Sequence, residues 1–191
     1  MRRIFLHINV SLDGFIEDEN HEIDWHFADD EFEAYINDVL RSLDGMIFGR
    51  VAHQVLSEYW PNAAAQPHFS KRHLEAVQMM NALPKYVPTR GSYETTWAHS
   101  HVITGDVAKK IQYLKEQPGK DLALFAGAGI AQTFKDLGLI DEYRLIINPI
   151  LLGNGTPLFK PGAFRSELRL VNLRRFKSGA TVLSYVPLLQ A

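Results

Sequence analysis

A run of nine residues in the last third of the chain places the strongest limit on its fold. Residues 122–130 have the sequence LALFAGAGI, in which a short apolar stretch ends in small residues. Apolar residues at this density predict a buried strand. Thr133, Phe134 and Leu137 follow at helix-like spacing, so the run predicts a strand, a glycine turn and a helix in succession.

The glycines of this turn also suit a phosphate. They let the backbone approach a ligand closely, and the free N–H groups of the next helix attract an anion. The run departs from the dinucleotide-binding fingerprint, because Gln132 occupies the third glycine position and no acidic residue follows at the usual distance. A tightly packed turn without a ligand is the alternative that these residues leave open.

The composition is that of an ordinary globular domain. A chain of 191 residues predicts one domain over residues 1–191, and 20 Lys and Arg against 22 Asp and Glu give a net charge of −2. This balance argues against a nucleic-acid surface. There are no cysteines, and no stretch has the apolar character of a signal peptide or a membrane span. We therefore expect a cytoplasmic protein without nucleic-acid or membrane partners.

Helical and strand patterns alternate along most of the chain. The predicted strands cover residues 4–10, 46–48, 84–88, 101–103, 122–125 and 143–147, and the predicted helices cover 29–43, 50–59, 70–81 and 105–115, with one more after Gly127. Residues 168–176 and 181–186 flank a Lys-Ser-Gly-Ala turn and predict an antiparallel hairpin. The expected fold is a three-layer α/β/α domain, with a mixed, mostly parallel central sheet and a C-terminal antiparallel hairpin.

Eight histidines raise the question of a metal site. Six of them form scattered pairs without a partner carboxylate at ligand spacing, and no HExxH motif is present; the pairs are His21 and His26, His68 and His73, and His99 and His101. The last pair would share one face of a strand, where an exposed edge explains it. We expect no metal ion, and without a Gly-x-Ser-x-Gly elbow we expect no serine hydrolase.

Several short motifs follow one another from about residue 3 to residue 187. In chain order they are Ser11-Leu12-Asp13-Gly14-Phe15-Ile16, Asp24-Trp25, Gly49-Arg50, Pro84-Lys85-Tyr86-Val87 with Thr89-Arg90, the turn at Gly127, Gly138-Leu139-Ile140-Asp141-Glu142-Tyr143, and Asn148-Pro149-Ile150-Leu151-Leu152-Gly153-Asn154-Gly155 with Pro157-Leu158-Phe159. The ordered series resembles the dihydrofolate reductase-like superfamily. The nearer resemblance is to the reductase domain of the bifunctional riboflavin-biosynthesis deaminase–reductase and its stand-alone relatives. We expect no deaminase half in these residues, since its zinc ligands would include cysteines.

The resemblance implies an NADPH-dependent reductase, a homodimer, and a set of cofactor contacts. The nicotinamide pocket would be lined by Val10 and Ile16. The adenosine side would be held by Gly49, Arg50 and Val51 with Thr89 and Arg90, and the diphosphate by Gly127, Ala128, Gly129 and Ile130. Arg50 and Arg90 offer forked donors for the 2′-phosphate that separates NADPH from NADH, although either arginine alone is also typical of a solvated surface.

Two positions depart from the family's pattern. Ala52 stands where the family commonly has threonine, and Ala128 replaces the second glycine of a pair. Either change is expected to weaken the affinity for the phosphate groups of the cofactor. The alternative is therefore a non-catalytic, nucleotide-binding dimeric protein on the same fold.

Two acids are candidates for catalysis. Asp30 lies five residues after Trp25, the spacing at which dihydrofolate reductases carry their substrate-binding acid, and helix capping is its alternative role. Asp13 lies in the turn after the first strand and also suits a plain Asp-Gly turn. Trp25 and Phe15 are the expected substrate contacts.

The implied substrate is a small heteroaromatic compound that is pteridine- or pyrimidine-like. The activity that the resemblance implies is hydride transfer to this substrate, as in 5-amino-6-(5-phosphoribosylamino)uracil reductase or in dihydrofolate reductase. The cofactor would supply the reducing equivalent, while the protein would orient it and help a proton reach the acceptor.

Overall fold

The structure, a computed structural model, describes residues 1–65, 70–125, 127–160 and 165–188. His68 and Ala126, both named above, lie outside the described residues. The strands are β1 Ile4–Ser11, β2 Phe15–Glu17, β3 Leu43–Ile47, β4 Lys85–Pro88, β5 Ser100–Ile103, β6 Asp121–Leu124, β7 Glu142–Asn148, β8 Thr156–Pro157, β9 Leu168–Arg175 and β10 Thr181–Pro187. The α-helices are α1 Asp30–Arg41, α2 Arg50–Tyr59, α3 Lys71–Ala82, α4 Val107–Glu116 and α5 Ala128–Asp136, with a short 3₁₀ turn at Ala63–Ala65.

Eight strands form one sheet in the order β5-β4-β3-β6-β1-β7-β10-β9. The first six run parallel, whereas β10 is antiparallel to both β7 and β9. This arrangement, with helices on both sides, confirms the predicted fold class. The two-residue strand β8 pairs with β2 in a separate small sheet, which the sequence did not predict because such short strands show no alternation.

The two faces of the sheet pack against different helices, because successive side chains of a strand point to opposite faces. Ile4, Leu6 and Ile8 share a core with residues of α4 and α5, such as Ile111 and Phe134. Phe5 and its neighbours on the other face pack against α1 and α3. We refer to this second face, which carries Phe5, His7 and Asn9, as the α1 face.

One boundary differs from its prediction. Helix α1 ends at Arg41 and β3 begins at Leu43, whereas the helical periodicity extended to Leu43. Leu43 is buried and pairs with Asp121 of β6. Sheet pairing therefore outweighs the helical pattern at this residue.

The carboxyl ends of the six parallel strands meet at one edge of the sheet. Helices α2 and α5 both begin there, directly after β3 and β6. Binding sites of open α/β sheets form at this edge, because the loops that follow parallel strands converge on it.

Candidate functional site

A cavity of about 580 Å³ opens at the carboxyl edge, beyond the ends of β3, β4 and β6. Eight of the eleven expected cofactor contacts line it, namely Gly49, Arg50, Val51, Thr89, Arg90, Gly127, Gly129 and Ile130. Ala128 is buried behind it in the core. Three turns that are far apart in the sequence thus meet at one cavity.

Other lining residues were not predicted. They are Pro88, Gly91, Ser92, Val107 and Thr133, beside the already noted Ala52. Pro88, Gly91 and Ser92 adjoin Thr89 and Arg90, so extending that turn would have found them. Val107 and Thr133 belong to α4 and α5, and no motif in the sequence indicated that they would line a site.

Helices α2 and α5, which begin at the cavity, differ from the other α-helices of the described residues in how they start. Helices α1, α3 and α4 are capped by the side chains of Asp29, Ser70 and Asp106. Helices α2 and α5 follow Gly49 and Gly127, and neither has a side-chain cap. Their first N–H groups carry the positive end of the helix dipole and suit an anion.

The space in front of α5 is open. A Cβ placed on Gly127 or Gly129 would meet no atom of the described residues within 4 Å beyond the adjoining backbone, whereas one on Gly49 would come 3.1 Å from Cγ2 of Ile130. A phosphate can therefore approach the start of α5 without displacing protein atoms. This opening fits the diphosphate of a dinucleotide.

Two arginines stand beside the cavity. Arg50 and Arg90 are exposed, and neither forms an ion pair within the described residues. The Nη1 atom of Arg50 donates only a long hydrogen bond of 3.4 Å to Oε1 of Gln54. Both guanidinium groups are thus available to an anionic ligand.

The remaining expected contacts lie outside this cavity, around the end of β1. Val10 and Ile16 are buried in the core that packs against α5. Phe15 is half-buried on β2, and Trp25 is buried with its indole N–H donating to the carbonyl of Glu22 over 3.1 Å. Strand β1 is the neighbour of β6, so the end of β1 lies at the same edge of the sheet as the cavity.

The carboxylate of Asp13 is engaged by its surroundings. It accepts hydrogen bonds from the hydroxyl of Ser11 over 2.6 Å and from the backbone N–H groups of Gly153 and Leu152 over 2.8 and 3.2 Å. These bonds, led by that from Ser11, lower the pKa of Asp13. The group thus favours its ionised form, which is a poor proton source at neutral pH.

Asp30 and its neighbour Asp29 differ in their contacts. Asp29 caps α1 by accepting from the N–H of Phe32 over 2.8 Å, and it also accepts from the N–H of Ser178. The side chain of Asp30 is 93% exposed and lies 3.8 Å from Arg72. The capping role therefore belongs to Asp29, and Asp30 does not line the cavity.

An asparagine that sequence reasoning missed links three segments at the carboxyl edge. Asn148 is fully buried; its Oδ1 accepts from the N–H of Phe27 over 2.9 Å, and its Nδ2 donates to Oδ1 of Asn9 over 3.0 Å and to the carbonyl of Ile146 over 3.2 Å. It thereby ties the segment before α1 to the ends of β1 and β7. Asn148 begins one of the motifs above, but no sequence pattern indicated these partners.

A buried histidine lies deeper on the α1 face. The Nε2 atom of His7 is 3.1 Å from the hydroxyl of Tyr35. Burial, assisted by the charge of Arg144, lowers the pKa of His7 to about 3. His7 is therefore neutral in the folded protein at ordinary pH.

Neither metal-binding clusters nor membrane-spanning helices occur in the described ranges. No group of three or more His, Asp or Glu residues there is placed to hold a metal ion. No helix of those ranges has the length and apolar character to cross a bilayer. His99 precedes β5 with a φ of 60°, so it does not share a strand face with His101.

Together the sheet order and the glycine-initiated helices define a protein of the dihydrofolate reductase-like α/β class. The chain belongs to the RibD C-terminal domain family, whose model matches residues 2–182. It is 36% identical over 184 residues to YyaP, an uncharacterized protein of Bacillus subtilis (strain 168), a match that covers 96% of this chain and 94% of YyaP.

Solved structures share the fold. A protein of Shewanella sp. PV-4 classed with the riboflavin biosynthesis proteins is 24% identical with a TM-score of 0.71, over 98% of this chain and 99% of that one. A diaminohydroxyphosphoribosylaminopyrimidine deaminase/5-amino-6-(5-phosphoribosylamino)uracil reductase of Thermotoga maritima is 14% identical with a TM-score of 0.68, over 98% of this chain and 57% of that one. These likenesses show that the chain shares its fold with such proteins.

Proposed function

We propose that this protein is an NADPH-dependent reductase that transfers a hydride to a small pyrimidine-like substrate. The observation that carries the proposal is the cavity at which two uncapped helix starts, at Gly49 and Gly127, meet the free guanidinium groups of Arg50 and Arg90. Helix N-termini and arginine side chains are two of the devices by which proteins bind phosphate groups. We further propose that the reaction takes place in the cytoplasm.

Different parts of the cofactor would be bound by different residues along the carboxyl edge. The N–H groups at the start of α5 suit the diphosphate, while Arg50 and Arg90 suit the 2′-phosphate of the adenosine end. From that end, the edge continues past β6 to β1, where Val10 and Ile16 provide an apolar neighbourhood for the nicotinamide. NADPH, when bound, would supply the hydride, and one proton from solvent or a side chain completes the reduction.

The substrate class is proposed from the neighbours and the local residues. The Thermotoga maritima protein is named for a uracil derivative. Phe15 and Trp25 lie near the end of β1, and aromatic side chains of this kind stack on flat rings. A pteridine-like substrate also fits this proposal, because a pteridine contains a similar flat, polar ring.

Calorimetric titration with NADPH and NADH tests the cofactor proposal. Wild-type protein should bind NADPH more tightly, and replacing both arginines (Arg50→Ala with Arg90→Ala) should weaken NADPH by about a hundredfold and NADH far less, since each charged hydrogen bond contributes roughly 1.5–3 kcal/mol. The matched control is Arg72→Ala with Arg165→Ala, which removes two exposed arginines elsewhere. Equal losses for both cofactors would overturn the assignment of the arginines.

Turnover separates the reductase from a protein that only binds nucleotides. Oxidation of NADPH is followed by its absorbance in the presence of pyrimidine and pteridine acceptors. Consumption of NADPH with formation of the reduced ring supports the proposal. Tight binding with no turnover on any acceptor would favour the non-catalytic role that Ala52 and Ala128 suggest.

We also propose that the protein is a homodimer that pairs through its C-terminal hairpin. Strand β9 is the edge of the sheet, and its residues are exposed along their whole length. Leu170 pairs with Tyr185 and Leu173 with Leu183, so a β-bulge between these pairs puts both leucines on the face opposite α1. An exposed apolar edge strand favours pairing with a second copy of the same surface.

A further inference from the structure

The chain between β4 and β5, residues 89–99, forms neither helix nor strand and carries Arg90. We refer to it as the 89–99 segment. Backbone hydrogen bonds join its two ends to β5 and β4. Within the described ranges, residues 92–94 form a single hydrogen bond, which joins the hydroxyl of Tyr93 to Nδ1 of His53 over 2.8 Å. The part of the segment that follows Arg90 is therefore attached to the protein through His53.

His53 lies in the first turns of α2 and is fully buried. Its backbone N–H donates to the carbonyl of Gly49 over 2.9 Å, as the helix requires. Nδ1 of its imidazole is bonded to Tyr93, and Nε2 lies 2.9 Å from Oγ of Ser100, the first residue of β5. One side chain thus connects the helix that begins at the cavity with the 89–99 segment and with the strand that follows it.

The imidazole of His53 is neutral at ordinary pH. Burial, to which the charge of Lys85 adds, lowers the pKa of His53 to about 4. A neutral imidazole has one N–H donor and one acceptor nitrogen, and a hydroxyl group can pair with either of them. The hydroxyls of Tyr93 and Ser100 therefore satisfy both ring nitrogens. Loss of either bond would leave a buried polar atom without its partner.

The bond between His53 and Tyr93 joins the two elements that carry the arginines of the cavity. Arg50 precedes His53 by three residues on α2, and Arg90 precedes Tyr93 by three residues in the 89–99 segment. Two arginines bind one phosphate together only when their backbones are held at a suitable separation, and a ligand that must first order a loose segment binds more weakly. The turn at Gly127 takes no part in this bond, so the bond concerns the 2′-phosphate rather than the diphosphate.

We propose that His53 is a positioning residue, which holds the 89–99 segment against α2 and thereby determines how strongly the site prefers NADPH to NADH. The inference rests on the proposed function, because the preference arises from the 2′-phosphate that Arg50 and Arg90 would bind. His53 is not among the residues that line the cavity. It acts on the cofactor through Tyr93 and the segment that Tyr93 anchors.

Two substitutions at His53 separate its two hydrogen bonds. The amide group of asparagine lies as many bonds from Cβ as Nδ1 does, and that of glutamine as many as Nε2. His53→Asn can therefore retain the bond to Tyr93, whereas His53→Gln can retain only the bond to Ser100. Calorimetry should show the wild-type preference for NADPH in His53→Asn and a preference smaller by about threefold to tenfold in His53→Gln, the factor for one net hydrogen bond. Both variants lose one buried bond, so their unfolding temperatures should fall alike.

Tyr93→Phe tests the same bond from its other end. It removes only the hydroxyl group of a half-buried residue, so the variant should fold. Its NADPH affinity should fall by the same factor of about threefold to tenfold, and its NADH affinity by less than about twofold. Tyr59→Phe is the matched control, because it removes a hydroxyl that lies 3.0 Å from Nε2 of His73, and it should keep both affinities. In protein that already carries Arg90→Ala, Tyr93→Phe should not change the preference further.

Hydrogen exchange of the protein without cofactor provides a second measurement. The backbone amides of residues 90–94 should exchange faster in Tyr93→Phe and in His53→Gln than in the wild-type protein, because the segment has lost its attachment to α2. In Tyr59→Phe the same amides should exchange at the wild-type rate.

The outcomes distinguish this inference from the proposed function. Wild-type protein that prefers NADPH, together with a folded Tyr93→Phe variant that retains the preference, overturns the inference alone. Equal losses of NADPH and NADH affinity in Tyr93→Phe also overturn it, because the bond would then serve only the stability of the fold. Wild-type protein that binds no NADPH, or binds it no more tightly than NADH, overturns the proposed NADPH dependence, and the inference falls with it.

Discussion

The carboxylate of Asp13 accepts a hydrogen bond of 2.8 Å from the backbone N–H of Gly153. This bond joins the loop after β1 to the loop after β7, 140 residues away in the chain. Both loops lie at the carboxyl edge that carries the candidate site. Asp13 is thus placed to hold the rim of the site in position rather than to exchange protons.

Replacing Asp13 with asparagine tests this role. The amide oxygen can accept one of the loop bonds but the NH₂ group cannot accept another, so Asp13→Asn should speed amide hydrogen exchange in residues 150–155. The shape of the pH profile for turnover should not change, because the lowered pKa of Asp13 keeps it ionised at neutral pH. Loss of the alkaline limb of the profile in Asp13→Asn, with no such loss in the exposed control Asp24→Asn, would make Asp13 the proton donor.

Asp30→Asn tests the other acid. Because the side chain of Asp30 is 93% exposed and lines no part of the cavity, we expect turnover at neutral pH to change by less than about twofold, in line with surface substitutions that touch no ligand. Steady-state kinetics with NADPH in excess provide the measurement. A tenfold fall in kcat with unchanged NADPH affinity would establish the catalytic role that its spacing from Trp25 suggests.

Gly127→Ala tests the diphosphate position. We expect the protein to tolerate the added methyl group, since beyond the chain neighbours no atom of the described residues lies within 4 Å of it, and the φ of Gly127 is −79°. The same methyl group occupies the space through which a phosphate approaches the N–H groups of α5. We expect NADPH and NADH to weaken by the same factor, about tenfold, with little change in the unfolding temperature. Unchanged affinity would remove the diphosphate from this turn.

The homodimer prediction concerns two leucines of β9. Leu170 and Leu173 are 47% and 57% exposed, and placing lysines at both positions (Leu170→Lys with Leu173→Lys) adds charge to the proposed interface. Sedimentation velocity should show a dimer for the wild-type protein and a monomer for this variant. Leu137→Lys is the control, because Leu137 is 46% exposed at the end of α5. A wild-type monomer, or a dimer that survives both lysines, would contradict the interface.

Acid should destabilise the protein through His7. Its pKa is about 3 when folded and about 6.5 ordinarily, so below pH 6.5 the unfolded chain binds a proton that the folded protein does not. Stability is therefore complete above pH 6.5 and declines toward pH 3 by on the order of a few kcal/mol from this group. Urea unfolding between pH 4 and 7 should show His7→Gln to have a pH slope smaller by about 1.4 kcal/mol per pH unit. The exposed control His101→Gln should keep the wild-type slope, and an equal slope in His7→Gln would contradict this cause.

Local patterns in the sequence determined the elements and their order. Alternation and helical spacing are properties of neighbouring residues, so strands such as β6, the helix after Gly127 and the C-terminal hairpin were predictable from the chain alone. The motif series likewise indicated the turns at Gly49, Thr89 and Gly127. It did not indicate that β3 extends back to Leu43, because that strand forms by pairing with Asp121 of β6.

Only the tertiary structure decided how the site is assembled. The three turns meet because parallel strands bring their carboxyl ends to one edge, whichever order they have in the chain. Asp29 rather than Asp30 caps α1, and Asp29 also accepts a hydrogen bond from the backbone N–H of Ser178 in the hairpin. The orientation of Asn9 depends on Asn148, 139 residues away. Hydrogen bonds of this kind join residues that no local pattern relates, and the folded backbone alone brings them within reach.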